Sequence, residues 1–173
     1  SHLYFSQQVF GLKMDNLIVL GSCLPDIRIT GIVDWKESHT MKQAEKFETF
    51  IKKTRPSYLS LVKVIKSHIV LDEFAHHHFN NKTGYAFQKS PPLIESVSRC
   101  CRINKQLAKR AAHNFIELAV DFLLVIKKPD LIEKKKKAIK TINKTELSFL
   151  LSSFFHKDKK EVLIALDIFC LVS

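Results

Sequence analysis

Ser57-Tyr-Leu-Ser-Leu61-Val-Lys-Val64-Ile65-Lys-Ser-His68-Ile69-Val-Leu-Asp72-Glu-Phe-Ala-His76-His77-His78-Phe79 is the stretch that decides the fold. Leu61, Val64, Ile65 and Ile69 recur at intervals of three and four, the period of one helix face, and Ser57 stands where a cap belongs, just after Arg55-Pro56. The spacing predicts a long helix from Ser57 through Phe79. Residues four apart lie one turn above each other, so His68, Asp72 and His76 form a ladder of nitrogen and oxygen donors along it. A second ladder follows in His113-Asn-Phe-Ile-Glu117-Leu-Ala-Val-Asp121, and seven of the eight histidines fall within the first 113 residues.

Outward from this stretch the period stays helical. Leu3, Phe5, Val9, Phe10 and Leu12 mark a first helix ending near Lys13, while Asp15 to Asp34, with Gly21, Pro25 and Gly31, reads as an apolar loop with short turns. Ser38 is placed to cap a helix from about His39 to Lys53. Further helices are predicted over Leu93 to Arg102, Lys105 to Lys127, Pro129 to Ile142, Thr145 to Phe155 and Asp158 to Leu171, with Pro129 in a first turn. No strand alternation and no internal repeat occurs. The expected fold is all-α: a single-domain multi-helix bundle over 1–173 with a metal cluster between its helices.

Composition agrees with a packed helical domain. Hydrophobic residues make up 46% of 173, with only 4 Gly and 5 Pro, against disorder and against turn-dense β folds. No apolar run reaches the roughly 18 to 20 residues of a membrane span, and no basic-then-apolar leader opens the chain, so a cytoplasmic location is expected. The closing stretch from Val162 reads as a helix due to be buried, open to continuation past Ser173. Cys23, Cys100, Cys101 and Cys170 contain no CxxC spacing, so reduced thiols are expected rather than a thiolate zinc site. The net charge of +11 concentrates between Lys127 and Lys160, including Lys134 to Lys137, and would attract phosphate-bearing partners.

A buried histidine and carboxylate four apart are either a plain hydrogen-bonded pair or two ligands of one divalent cation. Two such ladders favour ligation, because clustering so many ionisable groups without a cation costs several kcal/mol. Successive helical residues lie about 100° apart, so the triplet cannot all point one way. His76 continues the ladder if the helix runs straight, His78 takes its place if the helix breaks, and His77 is expected to be exposed. Upstream, His2, Asp26 after Leu24-Pro25, and His39 are further donors. Tyr4, Trp35, Phe74 and Phe79 are candidates for an apolar wall, and Asp121 for a group supporting a ligand.

Taken in order, Ser1-His2-Leu3-Tyr4, Gly21-Ser22-Cys23-Leu24-Pro25-Asp26-Ile27, Ser38-His39, His68-x3-Asp72 and His113-x3-Glu117 resemble the zinc-dependent phospholipase C family. That all-helical fold is shared with single-strand-specific zinc nucleases. The resemblance covers residues 1–121; the lysine-rich helices of 122–173 match in helical character alone. It implies a cluster of two or three zinc ions. Asp26, His39, His68 and Asp72 would hold one; the histidine after Asp72, with His113 and Glu117, a second; and His2 would share a third with Asp72. The family completes that third site with its N-terminal residue, well before the matching histidine, whereas Ser1 immediately precedes His2 here. Secreted members place the ligand beyond a proline, matching His78; other bacterial members match His76.

Such a cluster implies phosphoester hydrolysis, most naturally of a phosphodiester, with dications binding the phosphate oxygens and activating water. Asp26 is the expected catalytic carboxylate, orienting or deprotonating that water. Phospholipid, nucleotide and oligonucleotide all fit as phosphate-bearing substrates, with the positive charge favouring a polyanion. Zn2+ suits the histidine-rich donor set, Mn2+ and Fe2+ being alternatives. The competing reading is a non-catalytic, metal-stabilised helical interaction protein. A hydrolase marked by an adjacent His-Asp pair is disfavoured, since that dipeptide is absent.

Overall fold

The computed structural model describes residues 1–11, 15–76 and 84–172. Among them every regular element is helical: α1 (His2–Phe10), α2 (Asn16–Gly21), α3 (Trp35–Ser38), α4 (Met41–Thr54), α5 (Leu59–His76), α6 (Tyr85–Lys89), α7 (Ile94–Cys101), α8 (Lys105–Lys127), α9 (Asp130–Thr141), α10 (Lys144–Phe155) and α11 (Lys159–Val172). Three 3-10 helices, Leu24–Thr30, Pro56–Tyr58 and Pro91–Leu93, link them. The protein is all-α. No helix among the described residues is long and apolar enough to cross a membrane.

The helix starts follow local chemistry. Asp15 accepts from Ile18 N at 2.8 Å and caps α2 where the sequence suggests only loop. Pro25 sits in the first turn of the 3-10 helix that follows, and Gly31 ends it at φ 79°, a left-handed conformation glycine adopts without a Cβ clash. The helix expected from about His39 to Lys53 is α4, which starts two residues later, under Thr40 rather than Ser38, and a separate short helix precedes it. Asp34 and Glu37 make a reciprocal capping box that starts α3, Thr40 caps α4, and His39 is the junction.

The described chain forms two compact units. The larger comprises His2–Ile69 and Leu131–Ser173; the smaller comprises Ser1 and Val70–Asp130. The helices α10 and α11 thus fall in one unit with His2–Ile69.

In the larger unit, α10 packs on α11, and α11 on the Leu24–Thr30 turn. Its core joins Leu20, Leu24, Ile27, Phe47 and Ile51 to Leu61, Ile65, Leu147, Leu151, Leu166 and Phe169, all below 9% exposed. Gly21 is needed here because a Cβ would stand 2.7 Å from the Leu61 carbonyl oxygen, so only glycine lets α2 approach α5 this closely. On α9, Leu131 and Ala138 are buried while Lys136 and Lys137 are exposed.

In the smaller unit, α8 packs against α6 and α7, and its buried apolar cluster is Val97, Ala108 and Ala112, with Leu93, Ile94, Ile103 and Ala111 partly buried around it. Asn104 caps α8 by accepting from Leu107 N at 2.9 Å. Further along α8, Leu118, Phe122 and Ile126 are 62%, 66% and 61% exposed. All four cysteines are free thiols, and burial pushes Cys23 up to about 12.

Candidate metal centres

Asp26, His39 and His68 meet in the larger unit, their ligand atoms all within 4.8 Å of one another. Each is set by a local device. The close approach at Gly21 brings the Ser22 carbonyl to His68, whose Nδ1 donates to it at 2.8 Å. A histidine that donates through Nδ1 carries its lone pair on Nε2, and Nε2 of His68 faces Asp26 Oδ1 at 4.0 Å. Pro25 starts the turn that presents Asp26. His39, at the end of α3, has Nδ1 2.8 Å from Ser38 Oγ and Nε2 3.5 Å from Asp26 Oδ1.

The His39 and His68 side chains are fully buried, whereas the Asp26 side chain is 40% exposed. Burial alone would raise the Asp26 carboxyl; the His39 hydrogen bond and the charges of His68, His2 and His39 outweigh it and hold the carboxyl below its ordinary value. The His2 ring stacks on His68 with centroids 3.7 Å apart.

His76, His113 and Glu117 meet in the smaller unit, again with ligand atoms within 4.8 Å of one another. His76 Nδ1 donates to the Asp72 carbonyl one turn back at 3.0 Å, and Nε2 lies 2.7 Å from Glu117 Oε1. The Glu117 hydrogen bond raises the His76 pKa against its burial, with the charges of Glu117 and Asp72 adding to the rise. His113 Nδ1 is buried without a hydrogen-bond partner among the described residues. Leaving such a group unsatisfied costs ~1–3 kcal/mol.

Asp72 is buried on α5, one helical turn after His68 and one before His76. Asp121 accepts from the Ser1 amine. His78 and Phe79 lie outside the described residues. Of the expected apolar wall, Trp35 stacks on His39, while Phe74 is more than half exposed and Tyr4 half-buried. Phe87 is the aromatic that sequence reasoning passes over. It stacks on His113 at 4.1 Å and meets His76 edge-on at 6.1 Å. No helical spacing ties it to either histidine, so only the packing of α6 against α8 reveals it. The Ser22 carbonyl was equally hidden, being backbone.

Both groups suit a divalent cation by the chemistry of their donors. Imidazole nitrogen and carboxylate oxygen are ligands of zinc, and a histidine already committed through Nδ1 can meet a carboxylate through Nε2 in only two ways. Either a second proton or a cation must lie between them. Comparison with protein-family models, with curated proteins and with solved structures finds no match.

Proposed function

We propose that this chain is a metal-dependent hydrolase of phosphoesters, acting first on phosphodiesters. Zinc would be held by Asp26, His39 and His68 in the larger unit and by His76, His113 and Glu117 in the smaller. The observation that carries this reading is the shared construction of the two groups. In each, a histidine donates Nδ1–H to a main-chain carbonyl and turns Nε2 toward a carboxylate. Ligating histidines are oriented in this way, through a bond from the ring nitrogen that does not bind.

When bound, the cations supply Lewis acidity toward phosphate oxygens and lower the pKa of water. The chain's own residues do the remainder. The Ser22 and Asp72 carbonyls fix the tautomers of His68 and His76. Asp26 is the partly exposed carboxylate of its group, able to reach solvent and to orient or accept a proton from the attacking water. The net charge of +11 draws in an anionic substrate. Free thiols, with Cys23 held protonated by burial, suit a reducing cytoplasm.

Turnover of a chromogenic phosphodiester by the zinc-loaded chain, lost with a chelator and restored by zinc, is the expected result. Asp26→Asn should lower it ~100-fold or more at saturating zinc. Full turnover by that variant with metal bound contradicts the catalytic role.

The small buried cluster of the Val70–Asp130 unit favours a second reading for its group: a structural ion that holds α8 against its neighbours. On that reading, His113→Ala unfolds this unit, and the loss of activity tracks the loss of structure.

A further inference from the structure

Trp35 is the chain's single tryptophan, and it sits on a four-residue helix that buries none of its residues. A core role does not explain so large a side chain there. Its indole lies against the His39 ring with centroids 4.0 Å apart and planes 13° apart, and the Arg28 guanidinium carbon stands 4.8 Å from the indole centroid. Stacked rings and a cation over an indole are both attractive arrangements.

The surrounding turn is built to hold this stack. The Asp34–Glu37 capping box fixes where α3 begins, so Trp35 and His39 fall one turn apart on the same side. Arg28 comes from the same 3-10 helix as Asp26. Ser38 Oγ at His39 Nδ1 then sets the remaining rotation of the ring, with Nε2 directed at Asp26. A helix of one turn is a weak scaffold by itself, since its nucleation cost is hardly recovered.

We propose that Trp35, steadied by Arg28, is a positioning residue for His39, holding that imidazole in its ligating orientation before metal arrives. Trp35 is therefore also an optical reporter of the Asp26–His39–His68 group. The inference rests on the proposed metal binding there, and the two fail separately.

The test titrates Zn2+ into the metal-free chain, followed by calorimetry and by the emission of Trp35, the single tryptophan, which reports the larger unit's group. The parent should bind zinc with an emission change that follows one of the calorimetric binding events. Trp35→Leu should weaken binding ~10-fold with far-UV circular dichroism unchanged, the size expected when support of a ligand is removed. Trp35→Phe, which keeps a ring against His39, should stay within about threefold of the parent. Arg28→Gln, which keeps the indole, should cost about twofold to fivefold.

If the parent binds and Trp35→Leu binds within twofold of it, or if Trp35→Phe loses as much as Trp35→Leu, the positioning role is overturned while the metal reading stands. A parent that binds no zinc overturns both.

Discussion

Among the described residues, the larger unit that holds Asp26, His39 and His68 has a buried apolar cluster of nineteen residues, whereas the cluster in the unit of His76, His113 and Glu117 has three. The donor chemistry is nearly the same in both; the support is not. Around the first group the positions of the donors are inherited from close packing: Gly21 against Leu61, the Ser22 carbonyl on His68, and the Leu24–Thr30 turn against α11. Around the second, ring contacts from Phe87 and the His76–Glu117 pair carry a larger share. Leu118, Phe122 and Ile126 of α8 meanwhile stay mostly exposed and contribute little burial. The difference teaches that one group is built by the fold, while the other is positioned to help build it.

The sharpest way to break this contrast is to damage the larger core. Leu61→Ala, at a fully buried position, should cost ~2–5 kcal/mol in denaturant unfolding. Gly21→Ala adds a Cβ 2.7 Å from the Leu61 carbonyl oxygen and should cost ~1–3 kcal/mol by the same measurement. Because it moves Ser22 from His68, it should also weaken zinc binding in that unit. Unchanged zinc affinity in Gly21→Ala would separate the site from the packing and defeat the contrast.

Metal should act in the same direction on the two units, but not equally on their helices. Zinc at ~100 times its dissociation constant stabilises a binding-competent unit by ~2.7 kcal/mol. Because α8 carries His113 and Glu117 while α10 carries no donor of either group, hydrogen exchange should slow ~100-fold in α8 but far less in α10. Equal slowing in both helices would show that the ion's effect is not confined to the helix that carries its donors.

Much of this was legible in the sequence. Helical period identified α5 and α8 because their apolar and donor residues repeat every three or four positions. The i, i+4 pair His113/Glu117 was visible for the same reason, whereas Trp35/His39 was not, because the one-turn helix that spaces them has no apolar period of its own. The start of α2 was not, since its cue is a single Asp15 cap before Asn16 and the apolar run Leu17 to Leu20, too short to show a period. Nor was α3, started by the Asp34/Glu37 box, or the cap of α4, which is Thr40 and not Ser38. The Ser22 carbonyl and Phe87 come to their histidines through tertiary packing, which no local pattern encodes.

The smallest expected effect concerns Tyr58, whose hydroxyl donates to Glu146 at 2.9 Å and joins the Pro56–Tyr58 turn to α10 in the larger unit. Tyr58→Phe should cost ~1 kcal/mol. Burial, followed by the Glu146 hydrogen bond, raises this phenol from 10.0 to about 12. The folded-state pKa is the higher one, so the stability it contributes is complete below pH 10.0 and is lost as pH rises through about 12. Denaturant unfolding followed across that range should steepen its loss in the wild type relative to Tyr58→Phe, and parallel curves would remove the phenol from the account.

The central claim is that both histidine–carboxylate groups hold a divalent cation. Elemental analysis of zinc on the untagged full-length chain, beside His39→Ala and His113→Ala, tests it most directly. The account predicts at least two zinc ions per chain, with each substitution removing one. A metal content below one ion per chain in zinc-saturated protein, or a content that neither substitution changes, would contradict it.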